Sequence, residues 1–265
     1  MNFGIISYKS FLGKILRLPL KLIPKGTVVP ILQGKLKGRK WIIGSHFHGC
    51  WLGSYEYDKR IMFERFVKEE SVVLDVGANV GFYTLLCSLL VGEGGKVFAF
   101  EPMERNIHFL KKHLDLNEIA NVTIFENAVG DHEGIAFFDE TPSYIGQLNF
   151  GSCHLSKEGT AKVSMVSLDD LYKKKDIPLP DFIKIDVEGA EMLVLKGAQL
   201  ILNKSNPVIF LATHGKELHK QCCEFLINLG FTLKALDADD VEQTDEIMAY
   251  KDSDSAVAVQ EELFK

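Results

Sequence analysis

From residue 71 onward, short apolar runs alternate with stretches whose apolar side chains recur at helical spacing. The runs VVLDV (72–76), KVFAF (96–100), NVTIF (121–125), FIKID (182–186) and VIFLA (208–212) are apolar on both faces. After the first, Phe82, Leu85, Leu86, Leu89 and Leu90 share one helical stripe. A helix is expected over about 104–116, another over AEMLVLKGAQLIL and a third near 216–229. FTLKAL (231–236) and AVAVQ (256–260) are expected to close the chain as strands. Strands without a polar face need cover on both sides, and the intervening helices supply it. The pattern therefore predicts an α/β fold with a doubly wound parallel sheet, whose ligand crevice lies beyond the carboxyl ends of the strands.

The first 55 residues are different and are expected to form a basic N-terminal extension or cap on a body spanning 56–265. They hold nine Lys or Arg and no acid, leaving 21 basic against 36 acidic residues in the body. Pro19, Pro24 and Pro30 interrupt the Leu, Ile and Lys of residues 11–32, so no long helix can form there. Two readings stay open for residues 11–40: a peripheral contact with an anionic membrane surface, or a subdomain packed on the body with solvated lysines. The next stretch, GRKWIIGSHFHGCWLGSYEYDKR, reads as a loop-rich cap with short strands. His46 and His48 would share a face of a strand, but no third ligand stands nearby, and no metal site is assigned.

The most informative segment follows the first strand, Asp75-Val-Gly77-Ala-Asn79-Val-Gly81-Phe82. Gly77 and Gly81 allow a tight bend and close backbone approach, while the next helix offers its amides to a negative group. A dinucleotide loop would read GxGxxG, but Asn79 occupies the second glycine position. Asp75 would repel a pyrophosphate and could hold an ammonium, so the loop suits an amino-acid-bearing nucleoside better than NAD. Glu101 ends the second strand twenty residues past Gly81, placed to accept from both hydroxyls of a ribose. Asn127 and Ala128 follow the third strand, where they would border the base.

In this order SVVLDVGANVGFYTLL, VFAFEP, NAVGD and FIKIDVEGAEMLVLKGA resemble the FkbM-type methyltransferases, a branch of the class I enzymes that use S-adenosylmethionine. WLGSYE before the first strand also looks like that family. The resemblance covers about residues 50–235. It implies a Rossmann-like seven-stranded sheet with an antiparallel last strand, S-adenosyl-L-methionine as cofactor, and methyl transfer commonly to a hydroxyl of a sugar, lipid or polyketide. It carries over Asp75, Gly77, Asn79, Gly81 and Glu101 as cofactor contacts.

The remaining strand ends carry candidate catalytic groups. Alternation puts Lys184, Asp186 and Glu188 on one face, with both acids at the crevice mouth. Asp186, which also borders the cofactor, or Glu188 could act as general base for an alcohol; alternatively the pair could bind a divalent ion, or merely cap the helix beginning near Gly189. Glu191 is expected only to meet that helix's dipole. His214 titrates near neutrality in its ordinary state and is the second candidate base. Phe82 and Tyr83 could pack near the sulfonium, though Phe82 suits the core equally. Residues 139–160, with Tyr144, Gln147, Asn149 and His154, are too polar for core and are expected to form an acceptor-binding insertion or lid.

Composition narrows the partners. An acidic body would repel nucleic acid. Five scattered cysteines without metal or disulfide spacing, and no run long enough to span a membrane, lead to the expectation of a cytoplasmic protein, with membrane association through the basic stretch left open. The expected function is an S-adenosylmethionine-dependent O-methyltransferase acting on a hydroxyl of a saccharide or lipid-linked glycan. A polyketide or other small-metabolite acceptor is the first alternative, and a non-catalytic nucleoside-binding module the second.

Overall fold

The computed structural model describes residues 19–139, 154–155 and 161–251. A short hairpin, β1 (Val28–Pro30) and β2 (Lys40–Ile42), leads into helices α1 (His48–Leu52) and α2 (Tyr57–Phe66). The body then runs β3 (Val72–Val76), α3 (Phe82–Val91), β4 (Lys96–Phe100), α4 (Glu104–Leu116) and β5 (Val122–Phe125). Four short strands follow: β6 (Ala128–Val129), β7 (Gly134–Asp139), β8 (His154–Leu155) and β9 (Ala161–Val166). The chain continues through α5 (Leu168–Lys174), β10 (Phe182–Ile185), α6 (Glu191–Lys196), α7 (Gln199–Ser205), β11 (Val208–Ala212), α8 (Lys216–Asn228), β12 (Thr232–Ala235) and β13 (Glu246–Tyr250).

Seven strands form the main sheet in the order β12-β13-β11-β10-β3-β4-β5. The five from β11 to β5 are parallel, and β13 lies antiparallel between β11 and β12. This is the α/β, Rossmann-like sheet with an antiparallel last strand. The last described strand is EIMAY; AVAVQ lies outside the described residues. Strand order turns at β3 and β10, whose neighbouring carboxyl ends define the crevice.

Both sheet faces are covered. On one, α5, α6, α7 and α8 supply Leu168, Leu171, Val194, Leu195, Ile201, Leu202, Cys222 and Leu226. On the other, α3 is buried nearly all round because the N-terminal layer closes over it. Ile31, Leu36, Trp41, Ile43, Trp51 and Phe63 join Phe82, Leu85 and Leu86 in one core. That layer does not stop at residue 55 but runs on through α2, a helix where short strands were expected. Its Lys25, Lys35, Lys37 and Lys40 are exposed, as is Leu22, while residues 1–18 lie outside the described residues.

Two further elements differ from the sequence pattern, and a third lies largely outside the described residues. The predicted single helix over AEMLVLKGAQLIL breaks at Gly197 into α6 and α7; a side chain at Gly197 would collide with the Gly130 carbonyl. β6, β7, β8 and β9 form a second, four-stranded sheet that the apolar runs did not announce. The anticipated lid over 139–160 falls outside the described residues except at its ends, Asp139 and β8, which pair with each other.

The cap is fastened through α4. The Ile42 N–H donates to His113 Nε2 at 3.2 Å, so the neutral ring carries its proton on Nδ1, which donates to the Val80 carbonyl at 2.8 Å. The imidazole also stacks on Trp41 with centroids 3.8 Å apart. Asn117 receives the Lys40 N–H at 2.7 Å and donates to its carbonyl at 2.9 Å. Burial lowers the His113 pKa to about 4, since protonation would leave a charge in the core. The native state thus refuses a proton that the unfolded chain accepts below 6.5.

His113→Ala should lower stability by about 2–4 kcal/mol, because the Ile42 N–H and Val80 carbonyl lose their partner and a gap opens beside Trp41. In urea unfolding, wild-type stability should fall as pH drops from 6.5 toward 4, and fall less steeply in the variant. Equal slopes would show that His113 is not the buried neutral link.

Candidate active site

The glycine loop is shaped by contact with β10. Gly77 has φ +81°, and a Cβ there would lie 1.9 Å from the Asp186 carbonyl oxygen. No other residue fits without separating the strands. Gly81, at φ +90°, packs directly against Leu110 of α4. The amides of Gly77 and Ala78 donate to the Phe100 carbonyl, that of Val80 to Asn79 Oδ1, and that of Gly81 to the Ala78 carbonyl. These loop amides therefore face inward and hold the bend rather than a ligand.

Glu101 receives the remaining loop amide, Asn79 N–H, on Oε2 at 2.8 Å. Its Oε1 accepts from Met103 N–H at 2.9 Å and from Asn106 Nδ2 at 3.2 Å. Burial raises the carboxyl pKa, and these three donors counter the shift. The carboxylate is thus locked at the junction of β3, β4 and α4.

Asp75 has no exposed surface. Thr84 donates to its Oδ2 at 2.6 Å, and Lys184 Nζ lies 3.4 Å from Oδ1. A carboxylate so enclosed holds the framework and cannot meet a ligand ammonium, which corrects its expected role. Lys184 also donates to the Gly77 carbonyl at 2.8 Å and lies 3.6 Å from Asp186 Oδ2. Burial opposes its charge, but Asp75 and Asp186 outweigh burial and raise its pKa. For Asp186, burial pushes the pKa upward; Lys184, Lys59 and His214 overcome it and hold the carboxyl below its ordinary range.

Phe82 is core, edge-on to Trp41 and Tyr55 at centroid distances of 5.9 and 5.2 Å, and so does not line the crevice. Ala128 is buried in the second sheet opposite Met165, while Asn127 stands half-buried just after β5. His48 is the first residue of α1 and its Nδ1 accepts from Trp51 Nε1, so it forms no strand pair with His46.

The crevice mouth gathers Asp186, Glu188 and His214, each with about a third of its side chain exposed. His214 Nε2 lies 3.2 Å from Glu188 Oε2 and 3.9 Å from Asp186 Oδ1. Its Nδ1 is 2.8 Å from Oε1 of Glu191, a fully buried residue whose same oxygen accepts from Gly189 N–H. The Glu191 hydrogen bond, aided against burial by the charges of Glu188, Glu191 and Asp186, raises the His214 pKa to about 9. A pKa of about 9 favours the imidazolium at neutral pH, which argues against the general-base role considered from the sequence. These three mouth residues offer ligand atoms within 4.8 Å of one another, the one group among the described residues that could hold a metal ion.

Sequence reasoning missed the groups that frame the mouth. Glu191 anchors His214 rather than serving only the helix dipole. From the cap, Lys59 pairs with Glu246 at 2.6 Å and Glu56 at 3.3 Å, and Tyr83 donates to Glu56 at 2.6 Å. His46 is kept neutral by burial, with its pKa lowered to about 4. The Glu56 to Lys59 spacing on a helix was a readable hint, but Glu246 joins them from 187 positions away.

Lys184→Met should cost about 3–5 kcal/mol in chemical denaturation, since Asp75 would be left as a buried unpaired charge. Adding Asp75→Asn should recover much of the loss. A cost below about 1 kcal/mol would refute the central role of this pair.

Residues 75–233 match the Methyltransferase FkbM domain family. The chain is 31% identical over 150 residues to the hexuronic acid methyltransferase AglP of Haloferax volcanii, covering 57% of this chain and 59% of that one. It is 22% identical over 147 residues to Methyltransferase 1 of Beauveria bassiana, covering 49% and 59%. It thus spans about three-fifths of the length of the curated relatives it matches. The crystal structure of Methyltransferase FkbM from Methylobacillus flagellatus aligns with a TM-score of 0.48 at 19% identity, covering 68% of this chain and 43% of that one. With the glycine loop, Glu101 and the acidic strand end all inside the matched segment, the chain belongs to the FkbM methyltransferase family.

Proposed function

We propose that the protein is an S-adenosyl-L-methionine-dependent O-methyltransferase acting on a hydroxyl of a saccharide or lipid-linked glycan. The observation that carries this reading is Glu101, fixed by three donors beside a loop that brings β3 against β10. Three of its roughly four acceptor sites are filled, and the site left on Oε2 suits a ribose hydroxyl. Asn127, just past the neighbouring strand, suits the base. Asp186 stands between this nucleoside end and the mouth, where the cofactor's methyl group would meet the acceptor.

A sulfonium methyl is already electrophilic, so the protein chiefly aligns it with the acceptor oxygen and excludes water. The carboxyl groups of Asp186 and Glu188 are the ones that would meet the acceptor hydroxyl, with His214 as their neighbour. A saccharide acceptor is supported by the relative named for hexuronic acid. A lipid-linked acceptor draws support from the exposed Leu22, Val28 and Leu32 near Lys25, Lys35 and Lys37. Among the described residues no helix is long and apolar enough to cross a membrane, so such contact would be peripheral.

Calorimetry with S-adenosylhomocysteine should show binding that Glu101→Ala weakens by ~1.5–3 kcal/mol, with no binding of NAD. Absence of adenosylhomocysteine binding would remove the cofactor assignment. In extracts given labelled S-adenosylmethionine, label should reach saccharide or glycolipid fractions; exclusive labelling of small metabolites would favour the alternative acceptor. The full chain should float with vesicles containing anionic lipid and lose this on K35E plus K37E, whereas flotation of neither protein would exclude the membrane contact.

A further inference from the structure

Asp186, Glu188 and Glu191 surround one imidazole, while Lys184 is shared with Asp75 and the Gly77 carbonyl. We propose that Asp186, Glu188 and His214 Nε2 together bind one divalent cation of the Mn2+ type, which displaces the Nε2 proton to solvent and receives the acceptor's oxygen.

One separation already matches a shared ion, and side-chain rotation of the two partly exposed carboxylates would close the others. Two ligand atoms each ~2.1 Å from an ion stand ~3.0 Å apart at right angles and ~3.4 Å apart in a tetrahedron. The observed separations from Nε2 are 3.2 Å to Glu188 and 3.9 Å to Asp186, and the whole set lies within 4.8 Å. Three protein ligands leave further coordination positions for oxygen atoms of an acceptor. One imidazole nitrogen with two carboxylate oxygens favours a first-row ion over Ca2+.

A second observation lies behind the ligands. Glu191 is buried completely and binds the far nitrogen of His214 at 2.8 Å, turning Nε2 toward the two acids. This is how ligating imidazoles are held, with a carboxylate fixing tautomer and ring plane. The other Glu191 oxygen, Oε2, is buried with no hydrogen-bond partner among the described residues. A buried carboxyl oxygen without a donor is costly, and a dication held on the far side of the imidazole would attract this group through space. Such an ion would also reverse the local charge, so that a uronate or a sugar diol could approach two acids that would otherwise repel it or leave it unbound.

The role in methyl transfer rests on the function proposed above, but the site itself is testable without the cofactor. Chelator-treated full-length protein titrated with Mn2+, read by loss of the free-ion electron paramagnetic resonance signal, should bind one equivalent. His214→Ala and Glu188→Gln should each weaken binding at least tenfold, and Glu191→Gln about tenfold through the ring. Thermal unfolding of each variant separates loss of ligand from loss of fold, and Glu101→Gln should leave Mn2+ binding unchanged. Weak binding of several ions, or binding indifferent to His214→Ala and Glu188→Gln in folded protein, would overturn the proposal. Mn2+ binding without adenosylhomocysteine binding would sustain the metal site while removing the cofactor reading, and the converse pattern would do the opposite.

Discussion

A single ammonium group, Nζ of Lys184, ties the architecture together. It reaches Asp75 on β3, the Gly77 carbonyl in the loop and Asp186 past the end of β10, in a place almost closed to water. Burying a charge costs several kcal/mol, and one opposed charge at ~4 Å returns only about 4 kcal/mol at an effective dielectric of 20. Two carboxylates and a carbonyl together reverse the balance, which is why the lysine remains charged. The same contacts set the bend at Gly77 and leave Asp186 ionised at the mouth. Glycine loop and crevice mouth are therefore connected through one side chain.

Much of this was legible along the chain because the main-sheet strands are apolar throughout and their helices strongly periodic. That Glu101 stands beside the loop was readable from its distance, and it accepts the Asn79 amide there. Asp75 was misjudged because spacing to a glycine says nothing about which way a strand residue faces; in the fold it points to Lys184. Phe82 begins α3, a helix buried nearly all round, so its aromatic ring had a core to join. Glu191 was undervalued because its partner, His214, ends a different strand.

The cap was hardest to read, and the reason is specific. In α2 the buried residues are Lys59, Arg60 and Phe63, so two charged side chains point inward where a helical pattern would place apolar ones. Arg60 donates to the Gly53 carbonyl at 2.8 Å, and Lys59 reaches Glu246 on β13. The second sheet escaped for the opposite reason, since Ile135 and Phe137 are exposed on β7 and break the expected division of faces.

The reach of Lys184 also bears on how the chain is made. It lies 107 positions beyond Gly77, and at about 5–20 residues per second some 5–20 s separate their synthesis. Through that interval the ribosome presents a cap, a glycine loop and Glu101, with a central strand that lacks one neighbour and an innermost acid, Asp75, that lacks its lysine. The nucleoside half is thus not an autonomous folding unit, and nascent chains halted before β10 should be held open for chaperones rather than settle into a small cofactor-binding domain.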